Sequence, residues 1–169
     1  MITDYDTMIQ DAVEEHLPFG YDWRLFKAQL WQESRLKPDA VSPVGAVGIG
    51  QLMPDTWQAF GPKAGFALDL YDRTDAEASI HTAALYMAWL IDEWSWPRPD
   101  VDRYCLAMAS YNAGLGHILE AQRIEGNPSL YADIIVALPD VTGSDNANET
   151  TKYVELILGF CNKQILEKA

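Results

Sequence analysis

Residues 74–94 read TDAEASIHTAALYMAWLIDEW, and this stretch decides the fold. Ile80, Ala83, Ala84, Met87, Leu90, Ile91 and Trp94 recur at three- and four-residue steps, which places them on one face of an α-helix. Thr74 followed by Glu77 has the form of a capping box, so the helix is expected to open there. Working toward the N-terminus, Tyr5, Met8, Ile9, Ala12, Val13 and His16 keep the same spacing until Pro18 and Gly20 interrupt it. Asp22 is placed to cap a second helix through Trp23, Phe26, Leu30 and Trp31, which must end before Pro38. Residues 39–53 read as loop, Pro54 fits the first turn of a short helix through Trp57 and Phe60, and residues 61–73 read as loop again.

Toward the C-terminus, Pro97 and Pro99 separate an apolar helix over about residues 101–110, and Gly114 and Gly116 divide it from a short helix ending near Gly126. Ser129–Leu138 gives another helix. Thr150–Leu166 gives the last, with Tyr153, Leu156, Ile157, Phe160 and Cys161 facing inward. The polar residues 139–149 between them read as an enlarged loop. With no internal repeat and no run of period-two strands, the expected architecture is all-α, one domain over residues 1–169.

The chain is acidic: 12 Lys and Arg against 25 Asp and Glu give a net charge of −13. That balance excludes a nucleic-acid partner, which needs clustered basic residues. No apolar stretch approaches the ~18 residues needed to cross a bilayer, so no membrane insertion is expected. The opening Met1-Ile2-Thr3-Asp4-Tyr5-Asp6 lacks the basic-then-apolar order of a signal peptide. Cys105 and Cys161 both fall on apolar helical stretches and read as small buried hydrophobes. His16, His81 and His117 show none of the spacing a zinc motif has, so neither metal nor other cofactor is expected. Of the six tryptophans, Trp23, Trp89 and Trp94 read as core, while Trp57 and Trp96 are the weak candidates for lining a cleft.

Glu33 is the residue a structural role explains least. It sits in the last turns of the second helix, where the negative end of the macrodipole disfavours a carboxylate. Leu30 and Trp31 offer an apolar wall, and both influences favour the neutral acid. A carboxylic acid kept protonated near neutral pH can donate a proton to a glycosidic oxygen. The alternative is a solvated Glu33, or one paired with Arg35 or Lys37.

The residues that follow bear on that choice. Residues 33–54 read ESRLKPDAVSPVGAVGIGQLMP; Ser110-Tyr111-Asn112-Ala113-Gly114 and Glu149-Thr150-Thr151-Lys152-Tyr153-Val154 come later. These three stretches, in this order, resemble the motifs of the soluble lytic transglycosylase domain of glycoside hydrolase family 23, related to goose-type lysozyme. The resemblance spans residues 33–154 and implies a lysozyme-like helical domain with a catalytic cleft. It also implies peptidoglycan glycan strands as substrate, with Glu33 as acid and then base. Ser42, Gln51, Met53, Tyr111, Asn112 and Tyr153 would line the cleft, with Gly50 and Glu149 as further candidates. The residue types suit a sugar: Gly45, Gly48 and Gly50 let backbone approach closely, and Ser, Gln, Asn and Tyr offer short or rigid polar groups.

The implied reaction needs one carboxylate. Glu33 would protonate the oxygen between N-acetylmuramic acid and N-acetylglucosamine, then take the proton of the C6 hydroxyl as it closes on C1, leaving a 1,6-anhydromuramyl end. A hydrolase of the goose-lysozyme kind remains open, with Asp39, Asp55, Asp69, Asp72 or Glu149 activating a water. So does a non-catalytic wall-binding module. Gly50 stands where many relatives have Met, which implies a roomier cleft floor, and Ser110 replaces the more usual Ala. Asn112 has a second reading as a helix cap, and Gln51 as a loop brace. A monomer is expected, acting on the bacterial wall in the periplasm after phage lysis or virion delivery, or as a mature form trimmed of its leader. The charge gives no electrostatic steering toward a wall polymer that itself carries carboxylates.

Overall fold

The computed structural model describes the backbone over residues 5–166 and side chains over residues 5–160. The helices are α1 (Asp6–His16), α2 (Trp23–Ser34), α3 (Pro54–Phe60), α4 (Ala76–Glu93), α5 (Asp100–Ala113), α6 (Leu115–Ile124), α7 (Tyr131–Ile135), α8 (Leu138–Thr142) and α9 (Ser144–Leu166), with a 3₁₀ turn at Pro62–Ala64. Two isolated bridges, Val41 with Val47 and Val47 with Leu52, are the β-type pairings among the described residues. The all-α reading is therefore correct. The chain divides into two compact units, one running through Ala88 and taking the chain back from Phe160, the other Trp89–Gly159.

In the first unit α1 packs on α2. Asp22 caps α2 as expected, its carboxylate accepting the Arg24 N–H at 2.9 Å. Between the two helices the Lys27 ammonium meets the Asp6 carboxylate at 2.6 Å, both side chains buried. Each compensates the desolvation of the other, and losing one partner would strand a buried charge. On α4 the apolar face is buried throughout, from Ile80 to Ile91, and Trp94, just past the helix end, is buried too. The cap of α4 is Asp75, whose carboxylate accepts the Ala78 N–H at 2.9 Å. Thr74, read as the cap, directs its hydroxyl to Asp72 instead. Trp89, read as core, is on the outward side of α4, off the i, i+3, i+4 face, and is 39% exposed.

In the second unit α6 packs against α5, α7 and α8. The segment 139–149 is helical, contrary to the loop reading. Pro139 occupies the first turn of α8, Gly143 (φ +83°) ends it, and α9 begins at Ser144. The polar run is the solvated side of two helix ends, which composition alone does not distinguish from loop. The single helix expected over Ser129–Leu138 is divided into α7 and the start of α8. On α9, Tyr153, Val154 and Ile157 are buried, whereas Leu156 turns outward. The free thiol of Cys105 is buried and pushed up to about 11 by desolvation and the nearby Asp102 charge. The Cys161 side chain lies outside the described residues. Ser110 has a specific use: its hydroxyl accepts the indole N–H of buried Trp94 at 3.0 Å.

What positions residues 40–53 is a set of ties between segments far apart in sequence. Ser34, at the end of α2, donates its hydroxyl to the Ile49 carbonyl at 2.9 Å. Arg73 donates from one guanidinium nitrogen to the carbonyls of Gly45 (2.9 Å) and Leu52 (2.8 Å). Ser79, in the first turn of α4, accepts the Gly50 N–H at 3.1 Å. Gly48 makes this approach possible. It has φ +85°, and a Cβ there would fall 1.8 Å from the Arg73 carbonyl oxygen and 2.8 Å from Ser79 Oγ. Gly48→Ala is expected to lose about 2–5 kcal/mol, the sum of left-handed backbone strain and overpacking against backbone. Chemical denaturation measures this directly; a loss under about 0.5 kcal/mol would show that the contact is not tight.

Candidate functional site

The residues singled out from sequence fall into two groups, one in each unit. In the first unit Glu33 is the penultimate residue of α2 and is half-buried. On one side of it Leu30 is fully buried. Trp31 stacks in parallel on Phe160, with ring centroids 6.3 Å apart, and carries the Arg35 guanidinium on its ring at 5.6 Å. The same guanidinium donates to the Trp31 carbonyl at 2.9 Å. Immediately after Glu33 the chain reverses through two consecutive left-handed residues, Arg35 (φ 57°) and Leu36 (φ 58°).

Gln51 (φ 46°) is also left-handed. Non-glycine residues in that region cost about 1–2 kcal/mol each and persist where surrounding contacts over-determine them. Of the four such residues described, Arg35, Leu36 and Gln51 lie within residues 33–54, and Asn127 is the fourth. The contacts that hold Gln51 are its own: its side-chain amide donates to the carbonyls of Gly48 (3.0 Å) and Ala40 (3.2 Å). Ser42 closes a turn with Ala46, whose N–H it accepts on its hydroxyl at 2.9 Å, while its own N–H donates to the Ala46 carbonyl at 2.9 Å. Both residues therefore brace the loop, and each keeps hydrogen-bonding capacity beyond those contacts. Gly50 is buried, its N–H on Ser79. Met53, which precedes α3, is 42% exposed rather than part of the core.

In the second unit Tyr111 is half-buried near the end of α5 and Tyr153 is buried on α9. Asn112 and Glu149 line one pocket of about 400 Å³, together with His117, Thr142, Asn146 and Thr150. The side-chain amide oxygen of Asn112 accepts the Thr150 hydroxyl at 2.8 Å, which fixes the end of α5 to α9. Asn112 is thus a helix-to-helix tie, and the residue that ends α5 is Gly114. Glu149 is exposed on the rim. His117 points Nδ1 at the Ala113 carbonyl, 2.6 Å away. A carbonyl only accepts, so Nδ1 carries a proton, and Nε2 is the ring nitrogen left for a ligand. The pocket can therefore offer a polar ligand donors and acceptors from an amide, an imidazole and a carboxylate.

The sequence reading missed Arg73, Ser79 and Thr150. Arg73 and Ser79 lie outside the three motifs, and Thr150 lies inside the third, where no role is read for it from sequence. The signal that could have found Arg73 is its place: one of two cations, with Lys63, in the loop between two helices, after a Gly-rich segment whose backbone carbonyls need partners.

The transglycosylase SLT domain family model matches residues 12–134 of this chain. The chain is 32% identical to a membrane-bound lytic murein transglycosylase F of Mannheimia succiniciproducens, over 95% of this chain and 36% of that protein. It is 34% identical to one of Haemophilus influenzae, over 83% of this chain and 30% of that protein. The chain therefore spans about a third of the length of these curated relatives. Among the described residues no helix is long and apolar enough to cross a membrane. In fold it is similar to the lytic transglycosylase Slt of Pseudomonas aeruginosa, with a TM-score of 0.73 at 24% identity, over 94% of this chain and 23% of that one. Two observations, a family model that covers most of the chain and relatives at 32% and 34% identity, place this chain in the transglycosylase SLT domain family.

Proposed function

We propose that this chain is a peptidoglycan lytic transglycosylase that cleaves the bond between N-acetylmuramic acid and N-acetylglucosamine without adding water. Glu33 donates its proton to the bridging oxygen as the bond breaks. The carboxylate then takes the proton from the C6 hydroxyl, whose oxygen closes on C1 to leave a 1,6-anhydromuramyl end. The balance is complete: one C–O bond breaks, one forms, and one proton passes through one carboxyl group. The observation that carries this reading is the position of Glu33. It is half-buried in the last turn of a helix whose final residue, Ser34, is tied to the Gly-rich loop.

In this reading Ser42, Gly50, Gln51 and Met53 bind sugar from the loop that Arg73 and Ser79 hold. Tyr111, Asn112, Tyr153 and Glu149 are the sugar-binding residues proposed from the motifs at residues 110–114 and 149–154. Residues 1–169 act as one catalytic domain and as a monomer, with no cofactor. The substrate puts the site of action at the cell wall, in the periplasm. Both named relatives are bacterial proteins and carry "murein" in their names, which supports the substrate. Delivery by phage rests on the sequence reading alone.

A water-using hydrolase is distinguished by product mass. Wild-type protein on purified peptidoglycan is expected to release muropeptides about 18 Da, one water, lighter than their hydrolytic counterparts. Glu33→Gln should release none while keeping its melting transition. Reducing-end products from the wild type, or anhydro products from folded Glu33→Gln, would overturn the assignment.

A further inference from the structure

Two of the three histidines, 65 residues apart in sequence, meet in the first unit. His16 is the last residue of α1, and His81 lies in the second turn of α4. His16 Nε2 and His81 Nδ1 are 3.2 Å apart, with the rings edge to face at 88°. Glu15 brings one carboxylate oxygen to 3.4 Å from His81 Nδ1 and 3.9 Å from His16 Nε2. Among the described residues this is the one set of three His, Cys, Asp or Glu side chains whose ligand atoms converge in this way.

Hydrogen bonding satisfies only part of this triangle. Each ring nitrogen offers one in-plane proton or one lone pair. A single N–H between the two rings, or from one ring to Glu15, leaves another electron-rich atom facing the same point. A cation at that point would satisfy all three atoms at once. The dimensions suit one: ligand atoms 2.0–2.1 Å from a tetrahedral zinc stand about 3.3 Å from one another. The observed edges of 3.2, 3.4 and 3.9 Å need only a small swing of the Glu15 side chain, which is 61% exposed and able to move.

The surroundings fit as well. Both imidazoles are mostly buried, at 8% and 11% side-chain exposure, and the Phe66 ring packs 5.8 Å from that of His81. The exposed side at Glu15 gives a route for the ion and room for a water as fourth ligand. Two imidazole nitrogens and one carboxylate oxygen favour a borderline transition metal over calcium or magnesium, which take mostly oxygen.

We propose that Glu15, His16 and His81 form a zinc-binding site that ties the C-terminal end of α1 to the start of α4. The site is a staple within the first unit and takes no part in the glycosidic chemistry. Helical periodicity cannot reveal it, because its two histidines belong to different helices and share no motif.

Calorimetric titration of the chelator-stripped full chain with zinc chloride tests this. One equivalent is expected to bind saturably. Zinc at about a hundredfold its Kd should raise Tm by roughly 5–10 °C. Cobalt(II) should give the visible absorption of a tetrahedral site. His81→Gln should abolish binding, and Glu15→Gln should weaken it at least about tenfold. Glu15 is exposed, so its variant carries the test even where His81→Gln fails to fold. Absence of one-equivalent binding, or wild-type affinity in Glu15→Gln, would overturn the proposal.

Discussion

Everything in the first unit that bears on chemistry depends on one close approach, Gly48 against the backbone of Arg73. The glycine has no Cβ, so the loop carrying Ser42, Gly50 and Gln51 can lie directly on the segment that leads into α4. Once there, its carbonyls at Gly45 and Leu52 are within reach of the Arg73 guanidinium, and its Gly50 N–H reaches Ser79. A loop of this kind presents many backbone polar groups that must be paired or solvated. Here Gln51 and Ser42 pair some of them from within the loop, and one cation and two serines, Arg73, Ser34 and Ser79, pair others from sites chosen by the fold.

The same ties reach the proposed acid. Ser34 is bound to the loop through Ile49, and Glu33 is the residue before it. The backbone strain at Arg35, Leu36 and Gln51 is confined to the two ends of this arrangement. Strain of that kind survives only where other contacts fix the geometry. Catalysis by a single carboxyl group needs such fixity. The group must meet first the bridging oxygen and then the C6 hydroxyl, and small displacements are costly when geometry supplies much of the rate.

The sequence discloses helices wherever an apolar face is long. The buried side of α4, the Asp22 cap and the helix opened by Pro54 are all legible because each depends on residues within one or two turns. It misleads where polarity stands in for structure: residues 139–149 look like loop because the solvated faces of α8 and α9 lie there. It is silent where partners are distant. Arg73, Ser79 and Thr150 act on residues 21–38 positions away, and the His16–His81 contact spans 65. The three motifs are legible because their residues, in that order, resemble those of the lytic transglycosylase domain, and Glu33 because its place at a helix C-terminus has no structural use. Ser42 and Gln51 show the remaining gap: their residue types suit sugar contacts, while the structure first uses them to brace their own loop.

Turnover of Arg73→Met on purified peptidoglycan tests most directly whether the clamped loop is what makes Glu33 competent. The measurement belongs at a temperature well below the melting transition of both proteins. The account predicts a loss of about a hundredfold in turnover with the helical fold intact, because Glu33 and Gln51 remain but their relative placement does not. Turnover within about twofold of wild type would contradict it, since a difference that small amounts to well under 1 kcal/mol of barrier.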